Sequence, residues 1–219
     1  MPTLHPSDVF HYTMKVFREV YPVTTEEYRR QSLRRRASYS YLNEILEAGH
    51  QLLGDILTHR GQGVAPSYRG RIKQAEAAGI IPHSLATDLL KLKTLRNLAT
   101  HENPRVNKAL AVHKAALTLA SVGFAFFALD MEWLAIVEGS ETRRAGVVID
   151  REYLLGWLRP LPVGPEENPS EREYRSNLDY EEGMARARAC LDKERHVPRY
   201  ELDFSGLPAG SPNKALRQC

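Results

Sequence analysis

Apolar residues recur at helical spacing through the first two thirds of the chain, and this periodicity predicts an all-α fold. Between residues 7 and 21 an apolar stripe follows every third or fourth position and ends before Pro22, which cannot continue a helix. Serine or threonine precedes several such stretches, where its side chain would cap a helix. The predicted helices cover residues 7–21, residues 25–58 with a break near Ser38, residues 68–78 after Ser67, the stretch from Ser84 toward Pro104, and residues 105–137.

The helical periodicity weakens after residue 138. We expect a short strand from Gly146 to Ile149, a helical turn over residues 152–158 and a polar helix over residues 178–195. Residues 160–170 are rich in proline and glutamate and favour a linker, and Ser205 to Cys219 is expected to be disordered. The chain is therefore divided into an N-terminal, basic helical segment (1–39), a helical bundle (40–138) and a less regular C-terminal extension (139–219).

The composition favours a soluble globular protein, because 42% of the 219 residues are hydrophobic and 26% are charged. The most apolar stretch, Leu117 to Leu129, is too short to cross a bilayer, so we expect a buried helix or an oligomer seam and no membrane association. Cys190 and Cys219 stand far apart, which argues against a disulfide framework and against a cysteine metal site. We therefore expect a cytoplasmic protein.

The stretch from Lys91 to Asn103 carries the clearest candidate chemistry. Arg96 and Asn97 precede His101 near the end of a predicted helix. Positions five apart diverge by roughly 140° around a helix, so Arg96 and His101 do not share a face, whereas Asn97 and His101 do. Either a kink before Pro104 brings Arg96 and His101 together, or two chains pair and each supplies part of one site.

An arginine and a histidine together can cleave RNA without a metal ion. Attack of a ribose 2′-hydroxyl on phosphorus needs a base, an acid and cationic donors to the phosphorane oxygens. A histidine with an ordinary pKa of about 6.5 suits the proton transfers, and a planar guanidinium suits the phosphate oxygens. No cluster of histidine, aspartate and glutamate has the spacing of metal ligands, so we predict no metal ion and no cofactor.

The segment Arg96-Asn97-Leu98-Ala99-Thr100-His101 resembles the Arg-x4-6-His motif of the HEPN superfamily, which favours a polar residue directly after the arginine. The resemblance covers about residues 40–135 and includes the loop Gly79-Ile80-Ile81 before the motif helix. It implies an all-α, HEPN-like helical bundle that forms a homodimer through the motif helices. It also implies a metal-independent endoribonuclease of toxin–antitoxin or phage-defence systems, held back by an antitoxin or regulatory protein partner.

The resemblance leaves two functional interpretations open, and a third possibility is a purely structural helical subunit. In the first, His101 is the general acid and base, Arg96 holds the scissile phosphate, Asn97 positions one of them, and the RNA ends are a 2′,3′-cyclic phosphate and a 5′-hydroxyl. In the second, the domain is a catalytically inactive HEPN module that binds RNA, nucleotide or a protein partner.

In one toxin branch of the family, a tyrosine stands two residues after the histidine, and an antitoxin modifies that tyrosine. Asn103 stands there in this chain, which argues against that form of neutralisation.

Positive charge concentrates near the start of the second predicted helix, although the net charge of the chain is only +3. Arg34, Arg35 and Arg36 follow Arg29 and Arg30, whereas residues 166–182 are acidic. This asymmetry favours a surface that faces a polyanion. We predict that Arg34, Arg35 and Arg36 contact RNA phosphates, the alternative being a solvated helix face.

Other candidate residues have structural interpretations that we favour. His50, His59 and His113 are expected at the surface or at the edge of the core rather than as ligands. Ser121-Val122-Gly123 lies in an apolar helix and is expected to serve close helix packing rather than nucleophilic chemistry.

Overall fold

A computed structural model describes residues 6–100, 108–139, 144–158 and 178–208, and most of them are helical. The predicted all-α class is therefore confirmed. The helices are α1 (Pro6–Lys15, continued by a π-helical turn over Val16–Val20), α2 (Thr25–Arg30), α3 (Ser32–His59), α4 (Tyr68–Ala77), α5 (His83–Thr100), α6 (Lys108–Lys114), α7 (Ala116–Glu138), α8 (Arg151–Trp157) and α9 (Leu178–Lys193), and the strands are β1 (Gly146–Ile149) and β2 (Tyr200–Asp203).

The predicted second helix is in fact two helices. Thr24 caps α2 in a capping box: its hydroxyl accepts from the N–H of Glu27 at 3.2 Å, and Glu27 Oε2 accepts from the N–H of Thr24 at 2.9 Å. The chain leaves the helical conformation at Gln31, with φ −95° and ψ 88°, so the predicted break near Ser38 is wrong. Ser38 stays inside α3, where its hydroxyl donates to the carbonyl of Arg34 at 2.7 Å.

Helix α7 lies at the centre of the core, as predicted for a buried helix. A Cβ on Gly123 would lie 2.1 Å from Thr13 Oγ1, so the close packing predicted at this glycine brings α1 against α7. The expected single helix over residues 105–137 breaks at Ala115, with φ −91° and ψ 3°. By length and composition alone α7 could span a membrane, but 61% of its most apolar stretch is buried within the protein, which is the behaviour of a core helix.

The chain after α7 forms a small sheet against the bundle. Strands β1 and β2 pair antiparallel, with Gly146 opposite Asp203 and Ile149 opposite Tyr200. A Cβ on Gly146 would lie 2.2 Å from the carbonyl oxygen of Leu202, so the strand pairing requires glycine at this position. The prediction of β1 is confirmed, whereas β2 was not predicted.

Apolar side chains of this C-terminal region join the hydrophobic core of the bundle, among them Leu154, Tyr200, Phe204 and Leu207. Leu207 is only 4% exposed, so the predicted disorder from Ser205 onward is wrong for residues 205–208. Residues 209–219 and the predicted linker over residues 160–170 lie outside the described residues. Burial of these apolar side chains, rather than local propensity, accounts for the order of a region whose sequence contains several turn-forming residues.

We expect Tyr200→Phe to lower the free energy of unfolding by about 1.5–3 kcal/mol, the usual contribution of a hydrogen bond to a charged group. The Tyr200 hydroxyl donates to Asp88 Oδ2 of α5 at 3.0 Å. Burial and this carboxylate raise the pKa of Tyr200, so the phenol stays a donor. Urea unfolding measures the change. Tyr68→Phe is the matched control, since the buried Tyr68 hydroxyl has no hydrogen-bond partner in the described part of the chain. An equal loss in both variants would contradict the prediction.

Candidate active site on helices α3 and α5

Helix α5 anchors its first turns in the core and carries its last turns to the surface. Leu85, Leu89 and Leu92 are buried at helical spacing and face the bundle. One turn later, Arg96 is half-buried and Asn97 is exposed. The same apolar stripe that packs the helix therefore places both polar residues of the motif at the boundary between core and solvent.

Two side chains of α3 hold the guanidinium of Arg96. Its Nε donates to Asn43 Oδ1 at 3.1 Å, and its Nη2 donates to Glu47 Oε2 at 3.2 Å. Asn43 and Glu47 are four residues apart and therefore lie on one face of α3. Because two donors of one planar group are held, the orientation of the guanidinium is set before any ligand arrives. The side chain of Arg96 remains 32% exposed.

The structure places two of the three residues predicted to be catalytic. Arg96 and Asn97 lie at the surface end of α5, whereas His101 and Asn103 lie outside the described residues. The meeting of Arg96 with His101 therefore stays a prediction. Asn43 and Glu47 were not predicted as site residues. The signal that the sequence offers is a row of polar positions on α3, four residues apart, opposite its apolar stripe.

A histidine on α3 lies one turn beyond the Arg96–Glu47 pair. The ring of His50 stacks on Tyr68 of α4 with centroids 4.8 Å apart, and Arg71 Nη1 donates to the carbonyl oxygen of His50 at 2.7 Å. Burial, then the Arg71 guanidinium, lowers the pKa of His50; Arg96 acts in the same direction and Glu47 opposes it. His50 therefore resists protonation more than an exposed histidine does.

We expect the free energy of unfolding of the parent to fall more between pH 7 and pH 5 than that of His50→Phe. The pKa of His50 lies below its ordinary value of 6.5 in the folded protein. As the pH falls through 6.5, the unfolded chain takes up the proton first, so the folded state loses stability until the folded pKa is passed. Phenylalanine preserves a ring against Tyr68 and binds no proton. Urea unfolding at several pH values tests this, and parallel pH profiles for the two proteins would contradict it.

Two of the three arginines predicted to bind RNA connect the first turns of α3 to earlier segments of the chain. Arg34 Nη1 donates to the carbonyl of Glu19 at 3.1 Å, and Arg35 Nη1 donates to the carbonyls of Tyr28 and Arg29. Arg36 is exposed on the first turns of α3. These backbone contacts give Arg34 and Arg35 a structural role, and the contact of all three with RNA stays a prediction.

The remaining histidines named from the sequence have packing roles where the structure describes them. His59 meets Trp133 edge to face with centroids 5.0 Å apart, and His113 Nε2 lies 2.5 Å from the carbonyl oxygen of Val23. Among the described residues, no group of three or more histidine, cysteine, aspartate or glutamate side chains is arranged to hold a metal ion.

Comparisons with known proteins bear on the same region. The chain matches the family described as Ribonuclease HepT-like over residues 11–116, which includes Asn43, Glu47, Arg96 and His101. A solved structure described as "Crystal structure of the toxin-antitoxin with AMP-PNP" is 16% identical, with a TM-score of 0.48, over 57% of this chain and 96% of that chain. No curated protein matches the chain.

Proposed function

This chain belongs to the HEPN superfamily, as its match to the HepT-like ribonucleases over residues 11–116 shows, and we propose that it is a metal-independent endoribonuclease. The observation that carries the proposal is the Arg96 guanidinium, held in a set orientation by Asn43 and Glu47 at the surface end of α5. A charged planar fork in this position suits two oxygens of a phosphodiester. Asn97 is exposed beside it, and His101 follows within the motif.

In the proposed reaction the ribose 2′-oxygen attacks the adjacent phosphorus while His101 removes its proton. The bond between the 2′-oxygen and phosphorus forms, the bond from phosphorus to the 5′-oxygen breaks, and the 5′-oxygen takes a proton from a protonated imidazole. Arg96 stabilises the charge that develops on the non-bridging oxygens, and Asn97 positions the phosphate or His101. The products are a 2′,3′-cyclic phosphate and a 5′-hydroxyl.

A homodimer would allow one histidine to act as base and a second to act as acid. The motif residues lie five apart on one helix, which turns their side chains in different directions unless the helix kinks. Mixing His101→Ala chains with Arg96→Ala chains tests the assembly. Activity restored by mixing supports a site that combines Arg96 of one copy with His101 of the other, whereas two variants that stay inactive together contradict this division of the site.

The proposed cellular role is that of a cytoplasmic toxin or phage-defence effector whose activity a protein partner, such as an antitoxin, holds back. Membership of a ribonuclease family supports this role. Expression of the parent should arrest growth, and expression of His101→Ala should not. If His101→Ala arrests growth as strongly as the parent does at equal protein levels, His101 does not carry the toxicity.

Incubation of the purified protein with total RNA in excess EDTA, beside His101→Ala, tests the enzymatic function. We expect the parent to cleave and the variant to leave the RNA intact, with phosphatase-resistant cyclic ends on the fragments. Cleavage that stops in EDTA would refute metal independence. Salt-sensitive RNA binding without cleavage would instead favour the inactive HEPN module, since contacts to phosphates weaken as salt rises.

A further inference from the structure

A groove beside Arg96 follows α3 toward the loop that precedes α4. It has a volume of about 410 Å³, which lies within the range of small-ligand sites. Glu47, Gln51 and Asp55 line it at four-residue intervals along α3, and Val64 and Arg71 lie on the other side. Since α3 rises 1.5 Å per residue, Gln51 is roughly 6 Å along the helix from Glu47, the residue that holds Arg96. The groove therefore begins at the residue that contacts Arg96.

Two residues that line this groove carry a buried polar atom without a hydrogen-bond partner in the described part of the chain: His50 Nε2 and Arg71 Nε. The hydroxyl of Tyr68, whose ring stacks on His50, is a third such atom. Such atoms are paired in the great majority of native structures, so these three leave hydrogen-bonding capacity unused behind the surface of the groove. Gly54 makes this arrangement possible, because a Cβ there would lie 2.7 Å from Arg71 Nη1 and would push the guanidinium away from the carbonyl of His50.

The two sides of the groove differ in chemistry. Asp55 is a carboxylate and accepts hydrogen bonds, whereas Arg71 only donates them. Burial raises the pKa of Asp55 above its ordinary value, and the positive charge of Arg71 opposes this shift. A phosphate would meet the like charges of Asp55 and Glu47, which disfavours an anion as the occupant. A neutral group with donors on one edge and acceptors on the next fits better.

We propose that this groove binds a guanine base of RNA. The Watson–Crick edge of guanine presents the N1–H and the N2 amino group side by side, which matches a carboxylate such as Asp55. Its O6 and N7 are adjacent acceptors, which match an arginine such as Arg71. We place this guanine in the nucleotide beside the scissile phosphate, which rests on the ribonuclease function proposed above. Glu47 supports this placement, because it contacts Arg96 and also lines the groove.

Titration of the 219-residue chain with 5′-GMP tests the proposal, because a 5′-mononucleotide has no phosphodiester bond to cleave. In ¹H–¹⁵N NMR spectra we expect GMP to shift amide signals of α3 and α4, and to bind about tenfold or more tightly than AMP, CMP or UMP. Asp55→Asn should reduce that preference to about threefold or less, because an amide offers one acceptor and one donor in place of two acceptors. Glu181→Gln, the same type of change at an exposed position of α9, should leave it intact.

Equal binding of the four mononucleotides would overturn the proposal, as would shifts confined to elements other than α3 and α4. A folded Asp55→Asn protein that keeps the preference for GMP would overturn the role of Asp55. Gln51→Ala provides a second variant in the middle of the groove if Asp55→Asn does not fold. Gln51→Ala should weaken GMP binding. Unchanged GMP binding in this variant would also contradict the proposal that GMP binds in the groove.

Mapping of RNA ends separates this proposal from the ribonuclease function. We expect parental cuts beside guanine, and we expect Asp55→Asn to lower cutting at guanine more than at other bases. Cleavage without base preference and without GMP binding would overturn the guanine site and leave the ribonuclease in place. GMP binding in the groove without any RNA cleavage would overturn the ribonuclease and leave the guanine site.

Discussion

Arg96→Lys is expected to lower the rate of RNA cleavage by about 10²–10³-fold, the usual loss when one donor to a developing oxyanion is removed. The Arg96 guanidinium uses Nε and Nη2 on Asn43 and Glu47, and this pair of contacts sets the plane in which its other edge meets a phosphate. Lysine keeps the positive charge but offers a single ammonium group with no plane. It cannot satisfy both α3 side chains and a phosphate with the same geometry.

The effect of Arg96→Lys is measured as the initial rate of cleavage of a fluorescent RNA in excess EDTA. Arg188→Lys, the same change at an exposed position of α9, is the matched control and should retain the parental rate. The Tm of Arg96→Lys should stay within a few degrees of the parent, because partly exposed ion pairs contribute about 0–1 kcal/mol. A rate within about threefold of the parent would show that charge alone suffices, and it would remove the argument for a phosphate clamp.

Phe124→Ala is expected to lower the free energy of unfolding by about 3–5 kcal/mol, the usual cost of a large cavity in a packed core. Phe124 on α7 is fully buried. Its ring meets Phe17 edge to face at 5.9 Å and stacks on Trp157 of α8 with centroids 5.7 Å apart. The Phe124 side chain therefore packs between the helical bundle and α8, and its removal weakens the packing of both.

Urea unfolding followed by tryptophan fluorescence and by circular dichroism measures the loss in Phe124→Ala. Met131→Ala is the matched control on the same helix, because Met131 is 40% exposed and should cost under about 1 kcal/mol. Coincident transitions from the two probes are expected, since the fluorescence of Trp133 and Trp157 reports on α7 and α8 and the helical signal reports on the whole bundle. A loss no larger than that of Met131→Ala would contradict the shared core.

The helices and their starting points could largely be predicted from sequence, because both depend on neighbours within a few residues. The capping box at Thr24 and the Ser67 cap of α4 follow from local side-chain chemistry, and the structure contains both. The break at Gln31 could not be predicted in this way. Gln31 carries no strong turn signal, and the break is accompanied by contacts from Arg34 to the carbonyl of Glu19 and from Arg35 to the carbonyl of Tyr28, both earlier in the chain.

The C-terminal region was predicted less well, because its order depends on distant partners. Strand β2 has only four residues, and it pairs with β1 more than fifty positions earlier in the chain. Leu207 and Phe204 are buried only because the bundle covers them. Glycine and proline nearby favour disorder when the sequence is considered alone, and the tertiary burial of a few apolar side chains outweighs that tendency.

Local sequence was sufficient to establish the helical class and the polar motif on α5, since periodicity and motif spacing are properties of one segment. The surroundings of Arg96 were decided by tertiary structure alone. Its two partners on α3 lie 53 and 49 positions away, and they reach it only because the apolar stripes of α3 and α5 pack together. The same packing brings the groove lined by Asp55 and Arg71 beside the motif, because the face that a helix turns toward its neighbour depends on the whole bundle.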